Sequence, residues 1–284
     1  MDPEKMEKLS EVGKNVSETV KNFYEVVDAI LKPRGINAAL INAHTKIIDS
    51  YAGNPEIDLE TKLTFLSTYK RLIKEHRRCT KTVDLASTMI SNDARPEEVR
   101  EDWFDFFFDK VRLVSDDNFI NMWSQILAGE VNQPGRFSRA LLHSLSVMST
   151  EQAKLFCSIT QFSMREYKNE EHIHPFIFIA SNHETYKTHQ ITAEGLRELE
   201  NLGLILCDFK DEFIFERKKV FRSGNKIIEI RGNPDNANRI NAGNVCFTKD
   251  GIALLDIVGE TFKQYQSDYL NFIVKKVSVK PTSV

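Results

Sequence analysis

No stretch of these 284 residues stays apolar for the length of a membrane span, and the opening Met1-Asp2-Pro3-Glu4-Lys5 lacks the basic segment and apolar run of an export signal. The expectation is a cytoplasmic protein. Cysteine is sparse, and Cys79, Cys157, Cys207 and Cys246 lie too far apart to make the paired C-x-x-C spacing of a zinc module, so they read as buried thiols. No terminal block of one charge occurs. With 38 Lys and Arg against 41 Asp and Glu, the formal charge of −3 disfavours a general nucleic-acid coat. The motifs G-x-x-x-x-G-K-[ST], H-E-x-x-H and G-x-S-x-G are also missing, so the sequence assigns no catalytic residue, no cofactor and no metal ligand. His172 and His174 have the spacing of one strand face, but without a third ligand nearby they read as a loop entering a strand.

What is present belongs to a folded chain. A hydrophobic fraction of 41%, a charged fraction of 28% and 19 Phe residues require a real core, and the length suggests more than one domain. Met6, Leu9, Gly13, Val16, Val20, Phe23, Val27 and Ile30 recur at spacings of three and four, predicting an amphipathic helix whose seam can pair within the chain or with another copy. Pro33 and Gly35 break it, and a second helix is expected over Asn37 to Ser50. Leu59 to Ile90 holds no Gly or Pro and predicts a long helix, with Leu63, Leu66, Tyr69, Ile73, Val83 and Ile90 on its apolar side. Lys70, Arg71, Lys74, Glu75, Arg77, Arg78 and Lys81 form a solvated face.

Ser91-Asn92-Asp93 and Pro96 signal the next helix start, followed by the aromatic face Trp103, Phe104, Phe107, Phe108 and Val111. Glu101, Asp105 and Asp109 fall four apart, and with Asp116 and Asp117 they have a spacing that can hold a cation; partnership with Arg100, Lys110 and Arg112 is the preferred reading. Phe119, Ile120, Trp123, Ile126, Leu127 and Val131 predict another helix, ended by Asn132-Gln133-Pro134-Gly135. Ser138 begins the next, and Ser149 with Gln152 makes a capping box for a third.

The pattern changes after His174-Pro175. Strands are expected at Phe176 to Ala180, Leu204 to Phe209, Phe213 to Phe215, Lys226 to Ile230 and Asn244 to Phe247, with a hairpin joining Phe213-Ile214-Phe215 to Lys226-Ile230 around Ser223-Gly224-Asn225. Short helices are expected from Ile191 to Leu202 and after Thr248. The phrase Leu199-Glu-Asn-Leu-Gly-Leu-Ile205 and the step Phe247-Thr248-Lys249-Asp250-Gly251-Ile252 resemble the recognition-helix exit and the strand-to-helix step of a winged helix. The fold class is therefore read as mainly α with a C-terminal α+β part: a helical bundle followed by a winged-helix-like domain with an extended wing. The segments are 1–92, long helices and an oligomerisation region; 93–165, a helical core domain; and 166–284, the winged-helix-like domain.

Trp123-Ser-Gln-Ile-Leu-Ala-Gly-Glu-Val131 with Pro134-Gly135 and Phe137-Ser138 resembles the shared motif of the bacterial and prophage family called domain of unknown function 2806, over Asp93 to Val258. The resemblance implies a helical block joined to a winged-helix-like end and brings no catalytic residue. Within the motif, Trp123, Gly129, Glu130, Pro134, Gly135 and Ser138 read as structural: Gly129 for close approach of a helix, Pro134-Gly135 for the turn, and Glu130 for hydrogen bonds to backbone or arginine.

Three functions remain. The preferred one is a non-enzymatic interaction or assembly protein, a homo-oligomer that can also engage another protein, with family context pointing to phage defence. The alternative is a nucleic-acid-binding regulator using the basic wing, Arg217, Lys218, Lys219, Arg222, Lys226 and Arg231, because Glu194, Glu198 and Glu200 beside Arg197 suit a recognition helix poorly. The third is a metal-dependent nuclease built on Asp105, Asp109, Asp116 or Asp117.

Overall fold

The computed structural model describes residues 18–31, 48, 50, 51, 53–166, 176–177, 189–207, 212–223, 226–231, 238–241 and 245–261. Among these the protein is mainly helical, with short antiparallel strands toward its C-terminal end. Backbone contacts divide the chain into two units, Met1–Ser146 and Val147–Val284. Most of the helix expected over Asn37 to Ser50 and the His172, His174 pair lie outside the described residues.

In the first unit, α1 (Glu18–Leu31) buries Phe23, Tyr24, Val27 and Leu31, the described end of the first apolar stripe. It closes on its own chain. Packing against the Pro96–Glu98 turn and against α3 (Glu101–Val111) is pinned by Thr19 Oγ1 donating to the Asn92 carbonyl at 2.8 Å and by Asn22 Nδ2 donating to Glu97 at 2.8 Å. α2 (Leu59–Ser87) starts where the Asp58 side chain accepts the Thr61 N–H, and its 29 residues span ~43 Å. Its buried side chains begin at Tyr69 and continue through Glu75, Cys79, Thr82, Val83 and Ala86, where α3 and α4 (Asp117–Asn132) cover it. Leu63, expected on the core side, is instead 58% exposed, because these shorter helices cover the later turns of α2.

Two more expectations change here. Glu75 does not belong to the solvated face: it is buried, and Arg112 Nη1 reaches its Oε2 at 3.3 Å. Ser91-Asn92-Asp93 does not open a helix, because the Ser91 N–H and hydroxyl both donate to Asn132 Oδ1. Pro96 starts only a 3-10 turn, Val99 returns to extended backbone, and α3 begins at Glu101 with acidic residues in its first turn.

The core of this unit is aromatic. Trp103 stacks on Phe107 with centroids 5.1 Å apart, and Phe107 meets the Trp123 ring edge-on at 5.4 Å. Ile120, Ile126, Leu127 and Val131 of α4 and Leu141, Leu142 and Leu145 of α5 (Arg139–Val147) are also buried.

In the second unit, α6 (Thr150–Thr160) opens on the expected capping box: Gln152 N–H donates to Ser149 Oγ and Ser149 N–H to Gln152 Oε1. Strands β1 (Arg165–Glu166) and β2 (Phe176–Ile177) follow, then α7 (Ala193–Asn201), β3 (Ile205–Cys207), β4 (Glu212–Phe215), β5 (Lys218–Ser223), β6 (Lys226–Arg231), β7 (Asn238–Asn241), β8 (Val245–Phe247) and α8 (Lys249–Thr261). One sheet has the order β2-β8-β3, a second β1-β5-β6, and β4 pairs with β7. Phe156, Leu196, Leu199, Ile205, Phe247 and Leu254 are buried here, with α6 against both α7 and α8.

The expected turn at Ser223-Gly224-Asn225 joins different strands from those anticipated. β6 pairs with β5, Ser223 facing Lys226 and Lys218 facing Arg231, while Phe213-Ile214-Phe215 pairs with Ile240-Arg239-Asn238. Chain proximity accounts for the choice: β5 ends at Ser223 and β6 starts at Lys226, within the span of a tight hairpin, whereas β4 ends at Phe215.

Candidate functional site

The most specific constellation is the turn after α4. Trp123, earlier in α4, is fully buried, and the helix ends at Asn132 before Pro134 and Gly135. Gly135 adopts φ of +85°, a conformation costly for other residues. Glu130, only 2% exposed, turns its carboxylate into this loop: the Gly135 N–H donates to Oε1 at 2.7 Å and the Phe137 N–H to Oε2 at 2.8 Å. One side chain therefore satisfies two backbone donors of the turn, of which the Phe137 N–H is buried. Burial pushes the Glu130 carboxyl above its ordinary range, and the Phe137 and Gly135 N–H groups only partly offset this.

The approach at Gly129 is real, but the visitor is not a helix. A Cβ there would lie 2.8 Å from the Phe137 ring. That ring has the Arg136 guanidinium over it at 5.0 Å, while the Phe137 carbonyl accepts from Trp103 Nε1 at 2.8 Å. Ser138 then accepts the Leu141 N–H at the start of α5. The motif is a latch joining α3, α4 and α5. Sequence reasoning missed its link to Trp103, which no local spacing could disclose.

The candidate acids are dispersed among separate structural tasks. Asp116 caps α4 by accepting from the Asn118 and Phe119 N–H groups, and Asp117 pairs with Lys81 at 2.7 Å. Asp109 pairs with Arg112 at 2.9 Å and Lys110 at 3.5 Å; burial raises its carboxyl, but these partners outweigh it and hold the carboxyl below its usual range. Asp105 also has an interaction partner. Arg112 joins Asp109 to the buried Glu75, a pairing the sequence reading overlooked. The missed signal was spacing: Glu75 stands four residues before Cys79 and shares its stripe with Thr82, Val83 and Ala86.

In the β5–β6 hairpin, Lys218 and Arg231 face one another, and Glu229 pairs with both, at 3.1 and 2.7 Å. Those hydrogen bonds hold the Glu229 carboxyl below its usual range. Arg217 is exposed, Lys219 is half-buried with a partner, and the side chains of Arg222 and Lys226 lie outside the described residues. Part of the expected positive patch is therefore neutralised locally. Cys79 and Cys246 are buried, and Cys157 and Cys207 half-buried, with burial pushing the Cys157 thiol up to about 11.

No helix among the described residues is long and apolar enough to cross a membrane. No curated protein and no solved structure matches the chain. A family model does match, over residues 69–271, so it begins within α2 and runs beyond α8, further at both ends than the resemblance read from the motif. The chain belongs to the family described as protein of unknown function, DUF2806.

Proposed function

We propose that this is a non-enzymatic interaction and assembly protein whose C-terminal unit is a winged-helix variant turned toward protein partners. The observation that carries the non-enzymatic reading is the use of its acids: Glu130 holds backbone N–H groups, Asp116 caps a helix, and Asp109 and Asp117 pair with cations. A carboxylate committed in this way is poorly placed to activate water or bind a metal. The winged-helix reading is supported by the sheet order β2-β8-β3, with α7 leading into β3 and β8 into α8; β4 to β7, inserted between β3 and β8, serve as the extended wing. In that arrangement α7 takes the recognition position. Its exposed residues include Glu194, Arg197 and Glu198, two acids to one base, which suits a protein surface better than phosphates.

The assembly is a homo-oligomer acting in phage defence, a setting suggested by the prophage relatives that the motif resemblance implies. Purifying the tagged chain from intact cell lysate, then measuring its mass by light scattering, tests the reading. Expected are a mass above one 32.7 kDa chain and no co-purifying nucleic acid. A single-chain mass with bound nucleic acid would favour the second reading, in which Arg217, Lys218 and Lys219 contact phosphates; the side-by-side register of Lys218 and Arg231 supports that alternative.

A further inference from the structure

We propose that the first turns of α2 form a self-pairing surface, on which a second copy of the chain lies antiparallel. This rests on the assembly reading above and names its interface. Leu59, Leu63, Leu66, Lys70 and Ile73 recur at spacings of four and three, the seam of a two-helix coiled coil. Leu59 is 71% exposed and Leu63 58%, while Leu66 and Ile73 are half-buried. The stripe of α1, which shows the same pattern, has its described end buried on its own chain, so among the described residues the open seam is that of α2.

Charge complementarity selects the occupant and its direction. Glu56, Asp58 and Glu60 cluster at the start of α2, and Lys70, Arg71 and Lys74 follow about three to four turns later. Antiparallel pairing that sets Leu63 of one copy against Leu66 of the other brings Lys70 beside the partner copy's Leu59, next to its acidic start. The two-fold axis makes this match occur twice. A parallel pair would instead oppose Lys70 to Lys70 and leave the acidic ends side by side, which is unfavourable.

Light scattering of the full chain at micromolar concentration, compared with Leu59→Glu/Leu63→Glu, tests the surface. Both leucines are exposed, so the variant should keep the wild-type unfolding midpoint while its self-association weakens by more than about tenfold. Glu60→Lys and Lys70→Glu should each weaken association, and the two together in one chain should restore it. A wild-type monomer would overturn both this surface and the assembly reading. An oligomer indifferent to Leu59→Glu/Leu63→Glu would overturn the surface alone. Loss of association without rescue by the paired charge reversal would overturn the antiparallel arrangement. A monomer whose leucine variant also loses stability would mean that another segment of the same chain occupies the seam.

Discussion

Glu130 and Trp123 are buried in the same segment for opposite reasons. Trp123 contributes ring area to the aromatic core, yet its Nε1–H is buried without a hydrogen-bond partner among the described residues. Truncation to alanine should cost about 3 to 5 kcal/mol through lost contacts and a residual cavity. Trp123→Phe should cost clearly less, since it removes a donor that is unsatisfied at a penalty of about 1 to 3 kcal/mol. Urea unfolding of both variants checks the order; equal losses would mean that the indole nitrogen does make a stabilising contact. Glu130→Gln places an amide NH2 against one of two backbone donors and should destabilise by about 1 to 3 kcal/mol. Because the folded Glu130 pKa is raised, this group's contribution is fully present below the unfolded carboxyl value of about 4.3 and declines as pH rises through the folded value. The gap between wild type and Glu130→Gln should therefore narrow from about pH 4 to pH 7 in the same unfolding experiment. A gap that widens over that range would show that the two N–H groups outweigh burial.

The β5–β6 hairpin shows what strand pairing does to a basic cluster. Lys218 and Arg231 become neighbours through the β5 and β6 register, and the same register puts Glu229 within reach of both. Exposed ion pairs contribute little stability, so the consequence is one of surface potential. If this hairpin contacts nucleic acid, binding measured by fluorescence anisotropy should weaken steeply with salt and be lost when Arg217, Lys218 and Lys219 are replaced together. Glu229→Gln should strengthen it by releasing both partners. Salt-insensitive binding, or a triple variant that binds like wild type, would exclude the hairpin as the contact. The step from β8 into α8 is held differently: a Cβ on Gly251 would lie 1.8 Å from the Leu204 carbonyl oxygen, so the helix start leans directly on backbone.

Across the first unit, α1 belongs to the packed structure. Phe23 is fully buried and Val27 nearly so, with Tyr24 Oη donating to Ser87 Oγ at 3.0 Å. Removing Met1 to Leu31 would uncover those contacts, so a lower mass after that deletion would not by itself identify an oligomer interface. The expected outcome is a lower and less cooperative thermal transition, read by circular dichroism. An unchanged transition would show that α1 docks without supporting the core.

Helix existence, the capping box at Ser149, the turn at Gly135 and the burial of Trp103, Phe107 and Trp123 were legible from sequence because each depends on periodicity or on residues a few positions apart. The structural role of Glu130 was legible for the same reason, its partners lying five and seven residues away. Tertiary structure decided the rest. Whether Leu63 faced core or solvent depended on how far α3 and α4 extend along α2, and whether Glu75 was solvated depended on Arg112, 37 residues distant. β6 joined β5, the strand that ends just before it, while β4 paired with β7 from beyond β6. Local chemistry thus specified the elements and their ends, whereas partnership between distant segments was settled by the exclusion of apolar surface from water and the pairing of buried polar groups.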